Sequence, residues 1–119
     1  MQLIRGINQL QSFAQGCVLT IGNFDGVHIG HSIVINKLAE KGRLLGLPVV
    51  VMVFEPQPLE FFLKDNAPSR LTRLREKIIH FEHLPVDNLL IVNFNQRFAN
   101  MDPDYFIEQV LVERLNVKY

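Results

Sequence analysis

Residues 49–54, VVVMVF, are apolar at every position. A strand with one solvent-facing side would alternate apolar and polar residues, so this run predicts a strand buried on both faces, as in a parallel sheet that helices cover. Short apolar runs at 17–21 (CVLTI) and 88–94 (NLLIVNF) predict two further strands. Segments with apolar residues at helical spacing follow each strand. This alternation predicts an α/β fold with a doubly wound parallel sheet.

Local signals indicate where the helices begin and end. The first helix is predicted over about 30–45, because a glycine and a proline follow it. The second is predicted over 72–84, with Thr72 as its N-cap. At 102–103 an N-cap aspartate precedes a first-turn proline, which predicts the start of the third helix. The final residues, 116–119 (NVKY), indicate the approach to a fourth strand.

The composition limits the classes of function. With 119 residues, the chain is expected to form one domain. Its 12 basic and 12 acidic residues give a formal net charge of zero, which argues against a nucleic-acid-binding surface. Cys17 is the single cysteine, so no intrachain disulfide can form, and the longest apolar run is far shorter than a membrane span. We therefore expect a cytoplasmic protein with neither nucleic-acid nor membrane partners.

The segment 22–31, GNFDGVHIGH, lies where the first strand turns into the first helix. Its glycines would let the backbone turn tightly and approach a ligand. A helix start offers an anion unpaired N–H groups and the positive end of the helix dipole. His28 and His31 flank Gly30 there, and an imidazole can donate a hydrogen bond to a phosphoryl oxygen. The segment therefore predicts a triphosphate site at the carboxyl ends of the strands.

Two other interpretations of these histidines are weaker. Pairs at this spacing also occur by chance: His80 and His83 show it within a predicted helix, where nothing else converges and a structural role is favoured. A zinc site is disfavoured because no third and fourth ligands occur at suitable spacing. For His28 and His31, a strand end, glycines and a helix start coincide, so a functional role is favoured.

His28-Ile29-Gly30-His31 matches the H-x-G-H motif of the nucleotidyltransferase superfamily. Longer strings resemble, in order and spacing, the N-terminal domain of the bacterial FAD synthetase family, which combines riboflavin kinase with FMN adenylyltransferase. These strings are GNFDGVHIGH, VVVMVFEPQP, SRLTRLREK and FNQRFANMDPDYFIEQVLVERL. The resemblance extends over residues 1–119. It implies a Rossmann-like sheet and the transfer of AMP from ATP to FMN, which gives FAD and pyrophosphate with Mg²⁺ as the metal.

The resemblance also implies roles for individual residues. His28 and His31 would contact the ATP phosphates and stabilise the transition state. Asp25 would orient the loop, and a loop-capping role explains it equally well. Pro56 and Pro58 would form part of the flavin-side wall, which is compatible with ending the second strand. The residues expected to shape the ATP pocket are Gly22, Asn23, Phe24, Asp25 and Gly30.

The chain departs from the family pattern in several places. Gln57 stands between the two prolines, where many members have histidine. A G-x-D/N-F-x-F-G segment, a later Ser-Thr-x-x-Arg motif and the riboflavin kinase domain are not found within 1–119. These departures predict a fold truncated on its C-terminal side and weak or no activity for residues 1–119 alone. They also predict one unpaired flank of a buried strand, which favours self-association.

Two alternatives to an enzyme domain of this family stay open at this point. One is a truncated nucleotide-binding module without catalytic activity. The other is an enzyme of the same superfamily that acts on a different mononucleotide or phospho-compound. The strings NFDGVH and FEPQP argue against the second alternative, because the resemblance extends well beyond the phosphate motif.

Overall fold

Four parallel strands form the sheet of the computed structural model, which describes residues 1–7, 12–25, 28–67 and 73–119, with His28 described by its main chain. The strand order is β1-β4-β3-β2, and each neighbouring pair is parallel. The prediction of an α/β fold with a parallel sheet is therefore confirmed. The strands are β1 (Gln2–Arg5), β2 (Val18–Ile21), β3 (Val49–Phe54) and β4 (Asn88–Val92).

The helices lie between and after these strands. A 3₁₀ turn, Lys64–Asn66, follows the second helix, and a π-helical segment, Phe106–Arg114, continues the fifth. Among the helices described, none combines the length and the apolar character that a membrane crossing requires. The α-helices are α1 (His28–Leu45), α2 (Pro58–Leu63), α3 (Leu74–Glu82), α4 (Gln96–Ala99) and α5 (Pro103–Tyr105).

The two faces of β3 explain its uninterrupted apolar sequence. Val50 and Met52 pack in a buried cluster with residues of the π-helical segment. Val51 and Val53 point to the other face and pack in a second cluster with Phe81 of α3 and a residue of α1. Because helices cover both faces, a polar residue at any of these four positions would lose its contact with water.

Several elements are not predicted by the sequence pattern: β1, α2, α4 and the 3₁₀ turn. β1 is short and mostly exposed, and it is held by pairing with β4, with Gln2 opposite Asn88. The EPQP string ends β3 as predicted but leads directly into α2. There the Gln57 N–H donates to Glu60 Oε1 over 2.8 Å, and Pro58 occupies the first helical position. Pro58 therefore starts a helix, while Pro56 lies between the end of β3 and the N-cap Gln57.

Several helix boundaries also differ from the predictions. α1 begins at His28, two residues before its predicted start. α3 runs from Leu74 to Glu82 with Arg73 in the N-cap position, so the predicted start at 72 is wrong; Thr72 itself lies outside the described residues. The Asp102 N-cap is confirmed, because its Oδ1 accepts from the N–H of residue 104 over 2.8 Å.

The outer flank of β2 is partly covered by the end of the chain. Cys17 and Val117 form a parallel bridge. The Lys118 N–H donates to the Cys17 carbonyl and the Leu19 N–H donates to the Tyr119 carbonyl, each over 2.9 Å. The expectation of an unpaired flank is therefore wrong for residues 17–19, because the predicted approach to a further strand already supplies hydrogen bonds there.

Candidate active site at the carboxyl ends of β2 and β3

The loop after β2 begins with a tight contact between Gly22 and Phe24. The Gly22 N–H donates to the Met52 carbonyl over 3.1 Å, so the pairing with β3 continues one residue past the strand. A Cβ built on Gly22 would lie 3.0 Å from Phe24 Cε2, which is closer than carbon atoms normally approach. Gly22 therefore provides the space in which the Phe24 ring lies.

Phe24 contacts both the first turn of α1 and the last turn of α3. Its φ is 52°, in the left-handed region that residues with a Cβ rarely adopt. Its ring packs edge-on against His31 of α1, with centroids 5.1 Å apart, and against Phe81 of α3, with centroids 5.3 Å apart. The His80 ring lies 6.3 Å from that of His31. His80 thus adjoins the predicted site, although the sequence pattern favours a purely structural role for it.

Lys77 joins this loop to α3. Its side chain is only 1% exposed, and its Nζ donates a hydrogen bond to the main-chain carbonyl of Asn23. Sequence reasoning missed this residue because it treats a helical lysine as a solvated one. The available signal was its position: Leu74, Lys77 and Phe81 share one helix face, so the lysine stands where the apolar stripe requires a buried residue.

The start of α1 is open to a ligand. A Cβ built on Gly30 would have no described atom within 4 Å, and the first turn of α1 carries no acidic side chain. The positive end of the helix dipole lies at this start, where it favours an anion. His28 is the first residue of this turn, and Asp25 is half-buried in the preceding loop. Gly26, the other predicted turn glycine, lies outside the described residues.

Aromatic rings surround the segment that follows β3. Phe94, just after β4, lies 5.6 Å from Phe54, 5.5 Å from Phe61 and 5.6 Å from Phe62. Phe98 lies 5.4 Å from both Phe54 and Phe94. The sequence pattern did not single out these rings. The signal available was that the Phe-bearing strings after β3 and β4 follow neighbouring strands of one sheet.

The predicted site residues thus occupy one edge of the sheet. Gly22 to Asp25, His31 and Gly30 follow β2, whereas Pro56 and Pro58 follow β3, and both prolines are half-buried. β2 and β3 are adjacent and parallel, so their carboxyl ends share that edge. The arrangement can hold an anion at the start of α1, whereas Phe54 and Phe98 of the aromatic group pack with the cluster on the other face of the sheet.

A separate cavity of about 540 Å³ lies at the ends of β1 and β4. It is bounded by Ile7 and Val92 at the strand ends and by Phe98, Tyr105 and Val110 on the helical side. None of the predicted site residues lines it, so it does not belong to the loop after β2.

No group of three His, Cys, Asp or Glu side chains within the described ranges could hold a metal ion. The described residues therefore do not form a protein cage for a metal.

Comparison with known proteins identifies the family. The model of the FAD synthetase family matches residues 10–119. The bifunctional riboflavin kinase/FMN adenylyltransferase of Escherichia coli (strain K12) is 55% identical over 120 residues, covering 100% of this chain and 38% of that protein. The proteins of the same description from Haemophilus influenzae and Pseudomonas fluorescens are 50% and 43% identical, with 39% and 38% of their lengths covered. The chain thus spans well under half the length of these relatives.

A solved structure supports the fold independently. The crystal structure of a macrolide-efflux protein from Streptococcus pneumoniae superposes with a TM-score of 0.79, covering 99% of this chain and 40% of that one. At 21% identity this likeness bears on the fold alone. The family match over residues 10–119 leads to one conclusion: the chain belongs to the FAD synthetase family.

Proposed function

We propose that this chain forms the nucleotide-binding part of an FMN adenylyltransferase, which transfers AMP from ATP to FMN and releases pyrophosphate. The observation that carries the proposal is the open start of α1, where Gly30 leaves space and His31 is held beside the loop by Phe24. The names of the most similar relatives include this activity. The second candidate is a nucleotide-binding module without catalysis, which the same open helix start would also suit.

The proposed roles at the phosphate side follow from this geometry. The N–H groups and dipole of α1 bind the phosphates of ATP, and no side chain at Gly30 obstructs them. His28 and His31 donate hydrogen bonds or positive charge to the phosphoryl oxygens. An oxygen of the FMN phosphate attacks the α-phosphorus, a new P–O bond forms, and the bond to the pyrophosphate oxygen breaks. The residues stabilise the charge that develops without forming a covalent intermediate.

The loop residues and the aromatic rings have separate proposed roles. Asn23, Phe24 and Asp25 shape the ATP pocket together with Gly22. Pro56 and Pro58 form one wall for FMN beside the rings that surround Phe94. Flat aromatic surfaces suit the isoalloxazine ring, because offset and edge-on aromatic contacts stabilise such pairs by about 0.5–1.5 kcal/mol beyond the burial of area.

Mg²⁺ would accompany ATP as the counter-ion of its phosphates, which supply ligands to the ion at sites of this kind. Its chemistry would be to neutralise phosphate charge. The partners we propose are the small molecules FMN and ATP, in the cytoplasm, without nucleic acid or membrane. Self-association through the part of β2 beyond Leu19 stays a prediction, and the exposed Ile21 lies there.

His31→Ala tests this function, with His83→Ala as the matched control. His83 is exposed at the end of α3. His83→Ala therefore removes the same kind of side chain at a position away from the loop. ATP binding is measured by isothermal titration calorimetry, and FAD formation is measured with FMN, ATP and Mg²⁺. Loss of one group that stabilises developing charge is expected to reduce turnover by about 10²-fold.

The outcomes distinguish the candidates. ATP binding that weakens in His31→Ala but not in His83→Ala supports the site. FAD formation by the unaltered chain supports the transferase and contradicts the binding module, because a module without catalysis forms no FAD. Equal ATP affinity in all three proteins would contradict a phosphate site at α1.

A further inference from the structure

We propose that Lys77 is a positioning residue for the phosphate-binding loop. Its ammonium group fixes the orientation of the Asn23 peptide, and thereby determines the backbone conformation of Phe24 and the contact of the Phe24 ring with His31. The inference deepens the proposed function and rests on it for the identity of the ligand. Lys77 touches neither ATP nor FMN in this proposal. It acts from α3 on the conformation of the loop that follows β2.

The burial of Lys77 is the first step of the argument. At 1% exposure its ammonium group has lost nearly all contact with water, which costs several kcal/mol before compensation. Leu74 and Phe81 on the same face show that an apolar side chain would suit the packing of α3. A lysine at this position therefore contributes something that packing does not require, and the hydrogen bond to the Asn23 carbonyl is a directional contribution.

The position of that carbonyl is the second step. The Asn23 carbonyl and the Phe24 N–H belong to one peptide plane, and the left-handed φ of 52° describes the rotation of Phe24 against that plane. A conformation of this kind costs about 1–3 kcal/mol and persists only where its surroundings hold it. By holding the carbonyl, Lys77 opposes rotation of the peptide back to a negative φ.

The third step leads from the peptide to the histidine. In this backbone conformation the Phe24 ring lies between Gly22, His31 and Phe81. If the Asn23 peptide rotates, the ring leaves the edge of His31. Lys77 therefore controls the phosphate site through main-chain geometry, over a path of directly contacting groups.

The experiment compares Lys77→Met with Lys37→Met. Methionine retains an unbranched apolar stem and removes the ammonium group. Lys37 is exposed on α1, so Lys37→Met is the matched control that removes a lysine elsewhere. Two quantities are measured in each protein: the ¹H resonances of the His31 ring without ligand, which sense the ring current of Phe24, and the ATP dissociation constant. For Lys77→Met we expect displaced His31 resonances and at least a tenfold higher dissociation constant. For Lys37→Met we expect neither change.

The remaining outcomes separate this inference from the proposed function. Unchanged His31 resonances in Lys77→Met overturn the inference, whatever happens to ATP affinity. Displaced resonances in a chain whose unaltered form binds no ATP support the positioning role and count against the proposed function. If Lys77→Met does not fold, Lys77→Gln decides: its neutral donor is one atom shorter, so displaced resonances are again expected, and unchanged ones overturn the inference.

Discussion

Gly30→Ala should stabilise the fold and weaken ATP binding, and the same substitution at Gly42 in the same helix should have the opposite effect on stability. A Cβ at Gly30 meets no described atom within 4 Å. A Cβ at Gly42 would lie 2.9 Å from the Leu47 carbonyl oxygen and 3.3 Å from a methyl carbon of Val18. Helix propensity alone would predict a gain at both positions, so the pair tests the structure rather than the propensity.

The expected magnitudes follow from these contacts. Alanine in place of a helical glycine stabilises by about 0.5–1 kcal/mol, which for 119 residues corresponds to about 2–4 °C in Tm. At Gly42, overpacking against a carbonyl oxygen and buried side chains should cost about 1–3 kcal/mol, which exceeds the gain. At Gly30 the new methyl group occupies the approach of the phosphate, and we expect at least a tenfold weaker affinity for ATP.

Urea denaturation measures the free energies of unfolding, and isothermal titration calorimetry measures the ATP affinities. A Gly30→Ala protein that is less stable than the unaltered chain would refute the claim that the start of α1 has room for a Cβ at Gly30. A more stable Gly30→Ala protein with unchanged ATP affinity would refute the approach of a phosphate to this residue. A Gly42→Ala protein that gains stability would show that a Cβ at Gly42 does not clash with the Leu47 carbonyl oxygen.

Two further predictions concern stability. Burial raises the pKa of the Cys17 thiol from 9.0 to about 11, so the unfolded thiol ionises at lower pH than the folded one, and the free energy of unfolding should fall by up to about 1.4 kcal/mol per pH unit from pH 9 to 11. Cys17→Ala should reduce that slope in urea denaturation at pH 8, 9 and 10, and equal slopes would contradict the burial effect. Asp102→Ala removes the cap at the Asp104 N–H and should cost about 1 kcal/mol, seen as a lower Tm; an unchanged Tm would show that water replaces the cap.

The sheet was predictable because its signal is local. VVVMVF lacks alternation, and that alone indicates burial on both faces, which the two clusters around β3 confirm. β1 has no such signal: its residues are mostly exposed, and its stability comes from pairing with β4, far along the chain. α2 could not be predicted from the sequence, because prolines end strands and begin helices equally well. The hydrogen bond from the Gln57 N–H to Glu60 shows that a helix begins here.

The candidate site divides in the same way. The loop and its histidine were predictable from a strand end, glycines and a helix start in one short string. Lys77 and the left-handed Phe24 were not, because a buried ammonium group and a positive φ at a phenylalanine both contradict the general preferences of those residues. The aromatic rings around Phe94 come from separate strings that only the neighbouring positions of β3 and β4 bring together.

The pairing of β1 with β4 has a consequence for the order of folding. Residues 2–5 leave the ribosome before the other strands of the sheet, yet their hydrogen-bond partners are residues 88–91. Hydrogen bonds on the outer flank of β2 can form only later still, because their partners lie at 117–119. Such distant pairings require the closure of long loops before they contribute to stability, so they form late and slow folding. During synthesis, β2, α1 and β3 are expected to assemble first, and the unpaired strand edges of this intermediate should be prone to aggregation until their partners join.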